Sequence, residues 1–148
     1  MRMIGRLYRL NSLLIDTNIV IYTLQPKEKY RKIVDFMDKI YDNDQIDILY
    51  SVIVEAEVFS VQLPQEVKEK VDILLSEVRI IKVDSDIARK AGEIRVKGKA
   101  LGYSIKLPDA LIAATAIIEN ATLVTHNSAD FRKINQFESL SIFDPMGN

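Results

Sequence analysis

The stretch "LLIDTNIVIY", residues 13–22, decides how the chain is read, because it sets an aspartate inside an otherwise apolar run. Leu13, Leu14 and Ile15 precede Asp16, and Ile19, Val20 and Ile21 follow it, so the segment is headed for the interior. A carboxylate is costly there unless something compensates it. Two readings fit. Asp16 ends a buried strand and caps the following helix through its side-chain oxygen, or the strand holds Asp16 at the rim of a cleft to grip a cation.

Working outward, short apolar runs alternate with amphipathic ones. Residues 11–16 read as a buried strand and Thr17 to about Leu24 as a short helix. A second helix covers roughly 28–41, with Ile33, Phe36, Met37 and Ile40 at helical spacing. "IDILYS" is a strand, and "VIVEAEVFSVQ" a helix opened by a Ser51 cap and stopped by Pro64. A helix from about 65 to 77 leads to the strand "RIIKV". Asp84 caps a helix of roughly 85–98, which Gly98 or Gly102 ends. Pro108 sits in the first turn of a helix reaching about Glu119, where its missing N–H costs nothing. "TLVT" and "LSIF" complete the strands.

Strands separated by helices imply an α/β fold with a mostly parallel sheet of about five strands covered on both faces, since each parallel return needs a crossover. At 148 residues, with no repeat and no Pro/Gly-rich linker, the chain reads as one domain over 11–148 behind an N-terminal extension, 1–10. In such sheets, sites gather beyond the carboxyl ends of the strands.

Composition narrows the chemistry. There is no cysteine and one histidine, His126, which excludes thiolate sites, a cysteine nucleophile and a zinc site of several imidazoles. A formal charge of -1 gives no global positive field for nucleic acid. No stretch is long enough to span a membrane and no signal peptide is evident, so a cytoplasmic protein is expected. The acids set in apolar sequence are Asp16, Glu55 or Glu57, Asp109 and Asp130. Glu57 lies between Ile53 and Val61 at four-residue spacing, whereas Glu55 stacks with Ser51 and Phe59; periodicity leaves the pair open. Each acid singly has a bland reading as a cap or first-turn residue.

As a set they carry more. "LIDTN" (14–18), "SVIVEAEV" (51–58), "DALIAATAI" (109–117) and "LVTHNSADF" (123–131) together resemble the PIN-domain family and, within it, the VapC-type toxins of toxin–antitoxin pairs. The resemblance implies a single PIN-like domain and a site of Asp16, Glu57, Asp109 and Asp130 as catalytic residues and metal ligands; the family's serine-to-glutamate spacing selects Glu57 over Glu55. Thr17, Asn18, Thr125 and Asn127 match supporting polar positions, and His126 falls where the family varies and is taken as surface. Oxygen-only ligands favour Mg²⁺ or Mn²⁺, one or two ions. The implied activity is a magnesium-dependent endoribonuclease, the toxin of a type II pair, in which metal-activated water attacks an RNA phosphodiester in line and leaves a 5′-phosphate and a 3′-hydroxyl. Implied partners are RNA, a small antitoxin that blocks the cleft, and a second copy in a homodimer. Ile21, Tyr22 and Phe59 could line the antitoxin groove, although plain core is their commoner meaning.

Phosphates need cations near the acids. Arg89, Lys90, Arg95, Lys97, Lys99 and Lys106 face only Glu93 within 89–106, a net of +5, read equally as a substrate surface or a solvated helix face. Two rivals stand behind the nuclease. A non-catalytic PIN-like RNA- or protein-binding module would lack an acid, but all four positions are filled. A haloacid-dehalogenase-type phosphatase would place two aspartates around one residue after the first strand, where this chain has "DTN".

Overall fold

A computed structural model describes residues 12–126 and 129–147. The expected N-terminal extension and Asn127 lie outside the described residues. Five strands, β1 (Ser12–Ile15), β2 (Asp47–Ser51), β3 (Arg79–Ile81), β4 (Thr122–Val124) and β5 (Ile142–Phe143), form one sheet in the order β3-β2-β1-β4-β5, and every pairing is parallel. The helices are α1 (Thr17–Leu24), α2 (Arg31–Tyr41), α3 (Val52–Phe59), α4 (Gln65–Ser76), α5 (Ser85–Ala100), α6 (Leu107–Ile118) and α7 (Ala129–Ile134), with a 3₁₀ turn at Glu28–Tyr30.

The strand order explains where a site can form. The chain steps from β1 out to β3, then returns past β1 to lay down β4 and β5. Right-handed crossovers therefore put α1–α4 on one face and α5–α7 on the other, in keeping with the packing of each group among its own members. At β1 and β4 the winding reverses, and connections leave the strand ends in opposite directions. That divergence opens a crevice at the carboxyl ends of these two strands.

The core explains why the central strands read as continuous apolar runs. Leu13, Leu14, Ile15, Leu49, Leu123 and Val124 are fully buried, as is Tyr50, whose hydroxyl lies 3.0 Å from that of Tyr41. α6 is apolar nearly all round and is enclosed accordingly, with Ala110, Ile112, Ala113, Ala114 and Ala116 all buried. The four predicted core positions of α2, Ile33, Phe36, Met37 and Ile40, are buried.

Some boundaries differ from the sequence reading. α3 ends at Phe59 rather than near Gln62, and α5 runs through Gly98 to Ala100. Gly102, at φ 84°, makes the left-handed turn after α5. Gly98 serves a different end: a Cβ there would collide with the Ile105 side chain, so its absence lets the following loop lie close on the helix.

Ser51 sits at the junction of β2 and α3, fully buried, with its hydroxyl accepting from the Ile53 N–H at 3.0 Å. Ser51→Ala should cost about 1 kcal/mol of stability, measured by urea unfolding; an unchanged midpoint would show that the cap does not hold α3.

Candidate active site at the β1/β4 crevice

Strand register brings the first polar groups together. Ile15 pairs with Val124, so Asp16 and Thr125 emerge side by side where the two strands end. The Asp16 N–H continues the ladder to the Val124 carbonyl at 3.0 Å, and Thr125 N–H does likewise to Phe143. Thr125, fully buried, donates its hydroxyl to Asp16 Oδ2 at 2.7 Å, while the Thr17 N–H donates to Oδ1 at 2.8 Å. Asp16 thus does both things its sequence context allowed: it caps α1, and it is held at a cleft while only 7% exposed.

Burial of Asp16 pushes its pKa up to about 6, against the opposing pull of the Thr125 and Thr17 hydrogen bonds, and the nearby charges of Glu57 and Asp109 add to the rise. Asp109 is raised as well, first by burial and then by Asp130 and Glu57, with Lys106 acting the other way. Asp16 therefore feels Glu57 and Asp109, and Asp109 feels Glu57 and Asp130, although the four stand on different elements. α3 and α6 touch across the end of the sheet, which sets Glu57 near Asp109. Glu57 is fixed by the Thr17 hydroxyl, which donates to Oε1 at 2.6 Å.

Asp16, Thr17, Asn18, Ile21, Tyr22, Glu57 and Asp109 line one cleft of about 280 Å³. Glu55 does not line it. Asp130, in the first turn of α7, lies outside that lining and is held by Lys133 at 3.4 Å. Among the described residues no three acidic or histidine side chains are already gathered into a metal-binding cage. Protein donors hold three of the carboxylates: Thr125 and the Thr17 N–H hold Asp16, the Thr17 hydroxyl holds Glu57, and Lys133 holds Asp130. As a donor set the carboxylates suit a hard divalent cation, being all oxygen and mutually repulsive without one.

Structural neighbours revise three expectations. The basic segment is less free than its sequence suggests, because Glu138, from the loop beyond α7, enters it. Lys90 bonds Glu138 at 2.8 Å and Glu93 at 3.2 Å, and Lys97 bonds Glu93 at 2.9 Å and Glu138 at 3.1 Å. Arg95 donates Nε–H to the Ile105 carbonyl and lines, with Lys99 and Tyr103, a hollow of about 550 Å³ distinct from the acidic cleft. Arg89, Lys99 and Lys106 are exposed. Secondly, Phe59 and Val61 are 42% and 44% exposed, so neither is core and the apolar bracket around Glu57 does not mark a buried stripe. Thirdly, His126 is not a bare surface residue: its Nδ1 lies 3.1 Å and 3.2 Å from the two Asp144 oxygens. The signal for that contact was the parallel β4–β5 pairing, which brings the residues after both strands together.

Comparison with known proteins agrees with this geometry. The PIN domain family profile matches residues 13–136. The chain belongs to the PIN-domain family. A PIN-domain relative, Ribonuclease VapC2 of Rickettsia felis, is 33% identical over 125 residues, covering 82% of this chain and 90% of the relative. The structure of VapBC2 from Rickettsia felis bound to a promoter DNA fragment superposes with TM-score 0.71 at 30% identity, covering 90% of this chain and 98% of that one. A toxin–antitoxin complex from Klebsiella pneumoniae gives 0.70 at 26%, covering 92% and 99%. The single PIN domain and the VapC-type likeness expected from the four motifs are thereby established.

Asp16 sets a measurable pH dependence in the metal-free PIN domain. Between the unfolded carboxyl's 3.8 and the folded value of about 6, the folded state keeps a proton that the unfolded state has lost, so this group's contribution to stability falls as pH rises through the window. The loss amounts to about 2–3 kcal/mol. Asp16→Asn should therefore gain stability relative to wild type on going from pH 4 to pH 7.5, in urea titrations with chelator; a difference that does not move with pH would show that Asp16 is not desolvated.

Proposed function

We propose that this chain is a divalent-metal-dependent endoribonuclease, the toxin of a type II toxin–antitoxin pair. The observation that carries the reading is Asp16, buried at the β1/β4 switch point and sharing a cleft with Glu57 and Asp109, in a PIN-domain chain whose relatives are named Ribonuclease VapC. Asp16 and Asp109 would be the main ligands of Mg²⁺ or Mn²⁺, with Glu57 and Asp130 completing the set. When bound, such an ion lowers the pKa of water and offsets charge building on a phosphodiester.

The chain's own contribution is positional. Thr125 and the Thr17 N–H hold both Asp16 oxygens, and each oxygen keeps a further lone pair with which it would hold a cation. The Thr17 hydroxyl holds Glu57. Lys106, whose charge acts on Asp109, would contact a phosphate beside the acids, and the exposed Arg89 and Lys99 would contact phosphates further along the bound strand. Water attacks phosphorus in line and the 3′ oxygen departs, leaving a 5′-phosphate and a 3′-hydroxyl. Ile21 and Tyr22, at the cleft wall, also offer the antitoxin an apolar edge beside the acids, and the neighbouring solved structures include toxin–antitoxin complexes. A homodimer is part of the same proposal. No helix among the described residues is long and apolar enough to cross a membrane.

Cleavage of total RNA with end mapping tests this. Activity should need Mg²⁺ or Mn²⁺ and vanish in Asp16→Asn and Asp109→Asn with the fold retained by circular dichroism. Thr125→Val, which frees Asp16 Oδ2, should lower activity about 10- to 100-fold. Full cleavage in chelator, or by Asp16→Asn, would refute the assignment.

Three phosphate-contacting cations imply that log affinity for single-stranded RNA falls with log salt at a slope of about -2. A flat response in filter binding would remove Arg89, Lys99 and Lys106 from the substrate surface.

A further inference from the structure

Beside the acidic cleft, aromatic rings from three separate segments meet. Tyr22 of α1 stacks on Tyr30 of the 3₁₀ turn, with ring centroids 3.7 Å apart and planes inclined by 20°. His126, just beyond β4, stands edge-on to both, 6.2 Å from Tyr22 and 5.8 Å from Tyr30. Asp144 fixes the imidazole through Nδ1, and the His126 N–H donates to Asn18 Oδ1 at 3.3 Å. Asn18 and Tyr22, one helical turn apart on α1, both line the cleft with Asp16, Glu57 and Asp109. Lys29 Nζ lies 5.0 Å from the centre of the Tyr30 ring.

All three rings are partly exposed, unlike Tyr50 or Phe131 in the core. A preformed stack therefore faces the place where a bound strand must pass. Aromatic faces next to cations are what single-stranded nucleic acid requires, because every base has a π-face and stacking tolerates any sequence. A base inside a duplex is already stacked and cannot reach such a surface. The stack also supplies attraction that neither the acids nor a cation between them can give.

We propose that Tyr22, backed by Tyr30 and edged by His126, is the stacking platform for an unpaired base flanking the scissile phosphate, so that substrates are selected for an unstacked nucleotide at that point. This rests on the nuclease reading above. Tyr22 touches the base; His126, oriented by Asp144, and Tyr30 are positioning residues.

The test combines abasic scanning with a single reporter. A cleavable RNA oligonucleotide carries one abasic site at each position around the cut in turn. One flanking position should raise KM roughly 5- to 100-fold in wild type, with a smaller change in kcat. Tyr22→Leu should show the same penalty with the intact RNA and no further penalty at that abasic position, and Tyr22→Phe should restore wild-type KM. Because the chain has no tryptophan, Tyr22→Trp places the sole indole in the stack; in chelator its fluorescence should be quenched by the intact oligonucleotide and not by the abasic one. Wild-type kcat/KM in a folded Tyr22→Leu, an abasic penalty that simply adds to it, or an indole blind to the base would overturn the platform while leaving the nuclease standing. Should Tyr22→Leu fail to fold, the indole decides. A wild type that cuts no RNA removes the nuclease reading and this inference with it.

Discussion

Desolvation of Asp16 is the constraint around which the rest is arranged. Its carboxyl is held where β1 and β4 end, against fully buried Ile15 and Val124, and among the described residues its donors are Thr125 and Thr17. Two hydrogen bonds keep it in one rotamer but do not replace the water it has lost, so its ionised form is disfavoured. A protein that merely needed a helix cap would gain by substituting serine or asparagine, which cap as well without a buried charge. Retaining the charge makes physical sense if a cation completes the environment.

The other acids follow from topology. The reversal of winding between β1 and β4 opens the crevice, α3 and α6 meet across its end, and α7 begins on its far side. Glu57, Asp109 and Asp130 are thus delivered from three helices to the neighbourhood of one strand end. Without a cation, burial and the charges of Glu57 and Asp130 raise the pKa of Asp109, while Glu57 takes the Thr17 hydroxyl and Asp130 takes Lys133, so that among the described residues the carboxylates are near one another yet not drawn into a cage. Part of the basic segment is spent elsewhere: two lysines of α5 close on Glu138 and tie that helix to the loop after α7.

Much of the fold was legible because fully buried parallel strands read as apolar runs and each is bounded by a cap or a proline. Asp16 was legible as an anomaly for the same reason. Choosing Glu57 over Glu55 was not a matter of periodicity, since Val61, half of the apolar bracket, is exposed; the choice came from motif spacing and agrees with the cleft lining. What escaped were contacts between residues distant in sequence. Glu138 lies more than thirty residues beyond the basic segment it neutralises, and Asp144 reaches His126 only because β5 joins β4 in parallel. Gly98 looked like a helix end because glycine commonly marks one, whereas here it admits Ile105.

The most direct measurement is the titration of the Asp16 carboxyl carbon by NMR in isotopically labelled protein, without metal and then with Mg²⁺. Expected is a midpoint near 6 in the metal-free protein, displaced to well below that when Mg²⁺ is present. A midpoint in the ordinary carboxylate range that Mg²⁺ leaves unmoved would mean that the crevice neither desolvates Asp16 nor holds an ion against it.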